Sequence, residues 1–207
     1  MKIIDLTAEI QTTGKRSIVN VRMPEGDRYK AVIYDDLQLS SMSGTYVDFP
    51  GHFEEFDDGL NAANCPLEKL LMVETTVIRL KRKGLPREIA GQELEAAGVP
   101  VMTPGLLIIV DDWDISLPEQ AAEAPFYGKS AVRWVASRKI NLFVSNVYEN
   151  HADSRGIFVE TFKAGITCVC IPAHLDRITK ERIKICAIPL RIPGAVQTPC
   201  RLLAVED

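Results

Sequence analysis

Apolar positions along the chain fall into short runs of different period. Leu106 to Val110 is continuous, follows Pro104-Gly105, and predicts a strand buried on both faces. Leu142 to Ser145 and Ile166 to Ile171 read the same way. Ile183 to Ile188 alternates and predicts a half-buried strand, Thr75 to Leu80 is β-branched, and Ile3 to Leu6 is a short strand. Four segments carry helical signals instead. Pro66 to Leu71 has proline at a first helical position, and Ile89 to Ala97 closes at Gly98. Ser130 to Arg138 places Val132, Val135 and Ala136 on one face. Asp153 or Ser154 caps a segment that runs through Phe162 and stops at Gly165. Strands alternating with helices predict an α/β fold, with antiparallel strands added by the extended N-terminal half. Asp114 to Gly128, with Pro118 and Pro125, reads as a surface connection and not a linker, so residues 1–207 are expected to form one domain.

Composition narrows the function classes. The chain is 46% apolar and 25% charged, ordinary for a packed domain. A net charge of −4 offers no cationic field for phosphates, so no nucleic-acid partner is expected. No apolar stretch approaches the ~20 residues of a membrane span, and Met1-Lys2-Ile3-Ile4-Asp5 forms no signal-peptide core. Five irregularly spaced cysteines (65, 168, 170, 186 and 200) read as reduced thiols, which points to the cytoplasm.

The chemistry concentrates in Ser41-Met42-Ser43-Gly44-Thr45-Tyr46-Val47-Asp48-Phe49-Pro50-Gly51-His52-Phe53. A strand over residues 41–49 would put Met42, Gly44, Tyr46 and Asp48 on one face, with Gly44 leaving room near the backbone. Pro50-Gly51 then bends the chain and can swing His52 over that face.

These residues resemble the cyclase family of metal-dependent hydrolases, of kynurenine formamidase and isatin hydrolase type. The family signature is HxGTHxDxPxH; this chain reads MSGTYVDFPGH. The likeness continues through Cys65-Pro66-Leu67-Glu68-Lys69-Leu70, Gln92 to Gly98, Trp113-Asp114 and Ala187 to Ile192, so it covers nearly the whole chain. It implies a single α/β domain with a central mixed sheet flanked by helices, of the swivelling β/β/α type. It also implies a homodimer or homotetramer in which a neighbour's loops help close the site, and Zn or Mn as the family's metal.

The departures change the expected function. The two signature histidines that bind metal in the family are Met42 and Tyr46 here, and Asp48 alone is retained. The family completes a two-metal site with a His and a Glu; the register of Ala164-Gly165-Ile166 puts Phe158 and Cys170 at those positions. The family's proton-transfer histidine matches His52. Zinc takes three or four N, S or O ligands at about 2.0–2.3 Å, so no metal cofactor is expected. Without it, nothing lowers the pKa of an attacking water to ~7. The expectation is a divergent family member that has lost hydrolase activity and keeps a small-molecule pocket lined by Met42, Thr45, Tyr46, Phe158 and Cys170. The alternative is an active amide or lactam hydrolase whose catalytic residues are Asp48 and His52, with Cys170 joining them in a rebuilt site.

Blander readings stand beside these. Asp48 serves equally as a buried acceptor, His52 as a hydrogen-bonded structural residue, and Met42 and Tyr46 as gap fillers, with the Tyr46 hydroxyl within reach of Asp48. Cys170, on one strand face with Cys168, reads first as an inert buried thiol and second as a nucleophile. His151 reads as a capping or solvent-side residue, His174 as a loop residue, and Asp111-Asp112 as a solvated or Arg-paired strand exit.

Overall fold

The computed structural model describes residues 1–11, 14–26, 28–113, 124–147 and 156–207. His151, Asp153 and Ser154, and part of the connection from Asp114 to Gly128, lie outside the described residues.

The buried runs form the strands they predict. In chain order the first five are β1 (Lys2–Asp5), β2 (Lys15–Arg22), β3 (Arg28–Asp35), β4 (Tyr46–Asp48) and β5 (Val73–Leu80). They are followed by β6 (Glu88–Ile89), β7 (Gly105–Val110), β8 (Phe126–Tyr127) and β9 (Leu142–Ser145). The last three are β10 (Thr167–Cys170), β11 (Arg182–Pro189) and β12 (Gln197–Glu206). Three helices intervene: α1 (Gly91–Ala96), α2 (Lys129–Ala136) and α3 (Ile157–Lys163). The expected helix from Pro66 is only a 3-10 turn, Leu67–Lys69. Met72 adopts a left-handed φ of 53° immediately before β5, which leaves no length for a helix.

The fold is a single-domain α/β architecture on a mixed sheet, and the sheet closes on itself. Strands β5, β7, β9 and β10 run parallel to one another, each paired with the next. β4 pairs antiparallel with β10 on one edge and with Gln197–Pro199 of β12 on the other. β12 then pairs with β11 and β11 with β5, completing a ring of seven strands. Ten residues in β12 allow its second edge to be shared: its start binds β4, and its end binds β1.

Alternation along each strand divides the core. Val47, Val77, Leu107, Val144, Val169 and Leu202 fill the barrel interior. Tyr46, Ile78, Ile108, Phe143, Cys168 and Cys170 face outward into a second apolar layer with Leu94, Val132, Val135 and Phe162 of the helices. β7, β9 and β10 are therefore buried on both sides, which is why their sequences are continuous apolar runs.

Candidate functional site

The strand expected over 41–49 is shorter than the pattern implies. Only Tyr46–Asp48 is extended. Gly44 sits at φ +63°, and a Cβ there would lie 2.9 Å from the Ala8 carbonyl oxygen, so the chain turns at a position only glycine fits. That turn removes Met42 from the period-two face and leaves it 47% exposed. Thr45 is buried and fully occupied by scaffold bonds. Its Oγ1 accepts from the Ala8 amide at 2.8 Å and donates to the Ile171 carbonyl at 2.6 Å.

Asp48 and its surroundings lie on the outer barrel face, beneath α3. The antiparallel register sets Asp48 opposite Cys168 and Gln197, and Tyr46 opposite Cys170. Residues directly opposite one another share a face. After Asp48, a 3-10 turn over Pro50–His52 brings the chain back, closed by the His52 amide on the Phe49 carbonyl at 2.9 Å. Gly51 packs closely there: a Cβ would lie 2.8 Å from Asp57 Oδ1 and 2.9 Å from Val196 Cγ1, so those side chains would have to shift to admit one.

The turn carries the His52 ring to Asp48. Nδ1 lies 3.1 Å from Asp48 Oδ1, and Gln197 Nε2 donates to Asp48 Oδ2 at 3.1 Å. Both carboxylate oxygens are thus engaged by protein groups. Burial pushes the Asp48 carboxyl up to about 6 from an ordinary 3.8, against the opposing pull of His52 and Gln197. The His52 side chain is 36% exposed and stacks on Phe162 with ring centroids 6.0 Å apart; Phe53 packs beside both.

Phe158 from α3 and Cys168 and Cys170 from β10 line one small void of about 20 Å³ together with Ser145, room for about one water. Tyr46 stands opposite Cys170 in the strand register, and its hydroxyl is a hydrogen-bonding partner of the Cys170 thiol. Burial, then the neighbouring Cys168 and Asp48, hold the Cys170 thiol well above its ordinary value, so it is protonated and inert as a nucleophile. Cys168 contacts Thr161 Oγ1 at 3.5 Å. Among the described residues no group of three or more His, Cys, Asp or Glu side chains converges to hold a metal ion. The alternative set of Asp48, His52 and Cys170 is not assembled as ligands.

Sequence reasoning does not single out Gln197, Phe162 or Cys168 for the site. Gln197 pairs with Asp48 across 149 residues, a relation that no local spacing encodes. Elsewhere, Asp111 at the exit of β7 pairs with Arg79 at 2.8 Å, as one reading of the acidic pair anticipates. His174 is an exposed loop residue with φ +55°. Both border a separate concavity of about 320 Å³ beyond the carboxyl ends of β5, β7 and β9.

The Cyclase family model matches residues 4–148, about 70% of the chain, including the whole stretch from Met42 to His52. The chain belongs to the cyclase family. The match stops short of Phe158 and Cys170. Solved structures of cyclase-family type share its fold over essentially all of its length. Isatin hydrolase A from Ralstonia solanacearum superposes with a TM-score of 0.71 at 18% identity, covering 100% of this chain and 92% of that one. An isatin hydrolase bound to the product analogue thioisatinate gives 0.69 at 16%, covering 99% and 92%. A protein described as a predicted metal-dependent hydrolase from Bacillus stearothermophilus gives 0.68 at 17%, covering 100% and 98%. At such identities the likeness shows the fold alone. Comparison with curated proteins finds no match.

The family's metal does not fit the donors this cyclase-family chain presents. A carboxylate, an imidazole already bonded to it, a tyrosine hydroxyl bonded to a protonated thiol, and a phenyl ring do not make a zinc or manganese shell.

Proposed function

We propose that this chain is a cyclase-family protein without the family's two-metal hydrolytic centre and without hydrolase activity, and that it binds a small molecule at the His52 face. The observation that carries the reading is the satisfied state of Asp48. Its Oδ1 and Oδ2 accept from His52 and Gln197, and the positions around it carry Tyr46, Phe158 and Cys170 in place of ligands. The small void between Phe158 and Cys170 fits side-chain packing better than a substrate. A small ligand is therefore expected at the half-exposed edge of His52, between Phe53 and Phe162, and not at the former metal position.

Elemental analysis of protein purified without chelator is the test. The expected result is well under one zinc or manganese per chain; two metals per chain would overturn the reading. N-formylkynurenine and isatin are expected to be hydrolysed no faster than in buffer, with or without added Zn²⁺ or Mn²⁺. A saturable, metal-dependent turnover abolished by Asp48→Ala would count against it equally.

A second reading is favoured by the dyad itself. A buried carboxylate with a raised pKa, bonded to a partly exposed imidazole, is an arrangement suited to general acid–base work on a small carbonyl compound, an amide or lactam. Such help is worth about 10²–10⁴-fold. It would show as metal-independent turnover lost in His52→Gln. Cys170 has no part in it, because its thiol is buried and protonated.

A further inference from the structure

The four parallel strands end on one side of the barrel, and residues at or just beyond their carboxyl ends converge there. Arg79 of β5, residues 111–113 after β7, Asn146 after β9 and residues 172–176 after β10 line the concavity of about 320 Å³. Arg79 and Asp111 continue the inward-facing rows of Val77 and of Leu107 and Ile109, so they cap the barrel interior. None of Asp48, His52, Phe53, Phe162 and Gln197 borders this concavity. Crevices beyond the carboxyl ends of parallel strands are where α/β sheets take their ligands.

The walls are tied down before any ligand arrives. Arg79 spans the mouth: Nη1 donates to Asp111 Oδ1 at 2.8 Å, and Nη2 to the carbonyls of Leu175 at 2.8 Å and Ile178 at 2.5 Å. The Asn146 side chain accepts from the Val110 amide and donates to the carbonyls of Val110 and Trp113, each at 2.9 Å. Asp112 at φ +60° and His174 at φ +55° hold left-handed backbone on the two sides, strain of the kind that collects at ligand sites. Negative charge is left over. Arg79 is engaged by Asp111 and two carbonyls. Asp112 and Asp176, both exposed, accept no hydrogen bond and pair with no cation among the described residues. The half-buried Trp113 indole, with Ile109 and Leu175, supplies apolar wall.

We propose that this barrel mouth is a second binding site, for a small organic cation: an amine carried on an apolar body. The ammonium is drawn by Asp112 and Asp176, and the body packs on Trp113. Three carboxylates against one guanidinium give the concavity a negative excess, which concentrates cations. An indole face adds its own attraction for an ammonium group. The volume lies at the small end of the range for ligand pockets, which suits a compact molecule and not a peptide. An anion fits poorly, because the Arg79 guanidinium is already engaged. A bare metal ion fits poorly too, since among the described residues no three His, Cys, Asp or Glu side chains converge to hold one.

Calorimetric titration of the full chain with benzylamine tests the proposal, with benzyl alcohol as the uncharged probe of nearly the same shape. Benzylamine is expected to bind with a Kd of about 0.1–1 mM, and benzyl alcohol at least ~10-fold more weakly. Asp112→Asn and Asp176→Asn combined should abolish that preference at unchanged circular dichroism, since asparagine tolerates the left-handed backbone at 112. In Trp134→Phe, which leaves Trp113 as the one tryptophan, benzylamine should change the fluorescence saturably with the same Kd. Absence of saturable binding, equal binding of the alcohol, or an aspartate double variant that binds like the parent would overturn the proposal. Binding lost in His52→Gln but kept in the double variant would move the ligand to the His52 face and overturn it as well. Displacement of benzylamine by equimolar calcium chloride would do the same, assigning the carboxylates to a metal ion. Zinc content and hydrolase assays do not enter these measurements, so they stand or fall apart from the reading of Asp48.

Discussion

Thr45→Val is expected to cost about 2–5 kcal/mol of folding stability, because it leaves two main-chain groups without their partner. Valine matches threonine in shape, so packing is nearly conserved, but the Ala8 amide loses its acceptor and the Ile171 carbonyl its donor. The loss is amplified by where the bonds act. Ile171 is a β-branched residue at φ +55°, a conformation that persists only where neighbours enforce it. Thr45 ties that position to the segment leading out of β1. Thr45→Ser keeps the hydroxyl and should recover most of the stability in urea denaturation. A valine variant within about 0.5 kcal/mol of the parent would mean that neither bond contributes.

Asp48→Asn is expected to stabilise the protein above neutral pH. The folded protein holds the Asp48 proton more tightly than the unfolded chain does, because burial lifts this carboxyl from 3.8 to about 6. Its favourable contribution is complete below pH ~3.8 and is lost as the pH rises through about 6. A rise of that size in an acid's pKa corresponds to roughly 3 kcal/mol. Asparagine carries no charge to bury, and its amide can still bond to His52 and Gln197. The variant should therefore equal the parent near pH ~4 and exceed it by about 3 kcal/mol near pH ~8, or about 6–12 °C in melting temperature. The difference between the two proteins is the informative quantity. Other carboxyls, such as Asp207, which Lys184 holds below its ordinary value, contribute with the opposite sign and cancel in the comparison. A pH-independent difference would mean that Asp48 is charged at no cost. If the stable variant also loses a bound ligand, the strained carboxylate is retained for binding.

Much of the barrel is legible in the sequence because burial on two sides leaves an unmistakable run. β7, β9, β10 and β11 lie within a residue or two of the apolar segments that predict them. Closure is not legible. It depends on β12 serving β11 along one edge and both β4 and β1 along the other, and the sequence of a strand does not name its neighbours. At the site, the approach of His52 to Asp48 is readable because a Pro-Gly bend stands between them, whereas Phe158 and Cys170 are singled out only by the family register at Ala164-Gly165-Ile166. The alternating pattern misplaces Met42 because it treats Gly44 as making room within a strand, whereas the left-handed conformation of that glycine ends one. The Tyr46–Cys170 contact and the second bond to Asp48 follow from cross-strand register, which only the fold supplies.

The shared edge of β12 also sets the order in which the molecule can be made. Tyr46–Asp48 finds one neighbour only when Thr167–Cys170 exists and the other only when Gln197–Pro199 exists, while Lys2–Asp5 waits for Leu203–Glu206. Pairings that span nearly the whole chain give a high contact order and place folding in the slow regime of closed β topologies. On the ribosome the strand bearing Asp48 remains without its final register until β12 has emerged. During that interval its apolar neighbours and the exposed strands β2 and β3 are open to wrong partners. Maturation of the nascent chain should therefore be limited by the emergence of β12, and truncation within β12 should be felt first at residues 46–48.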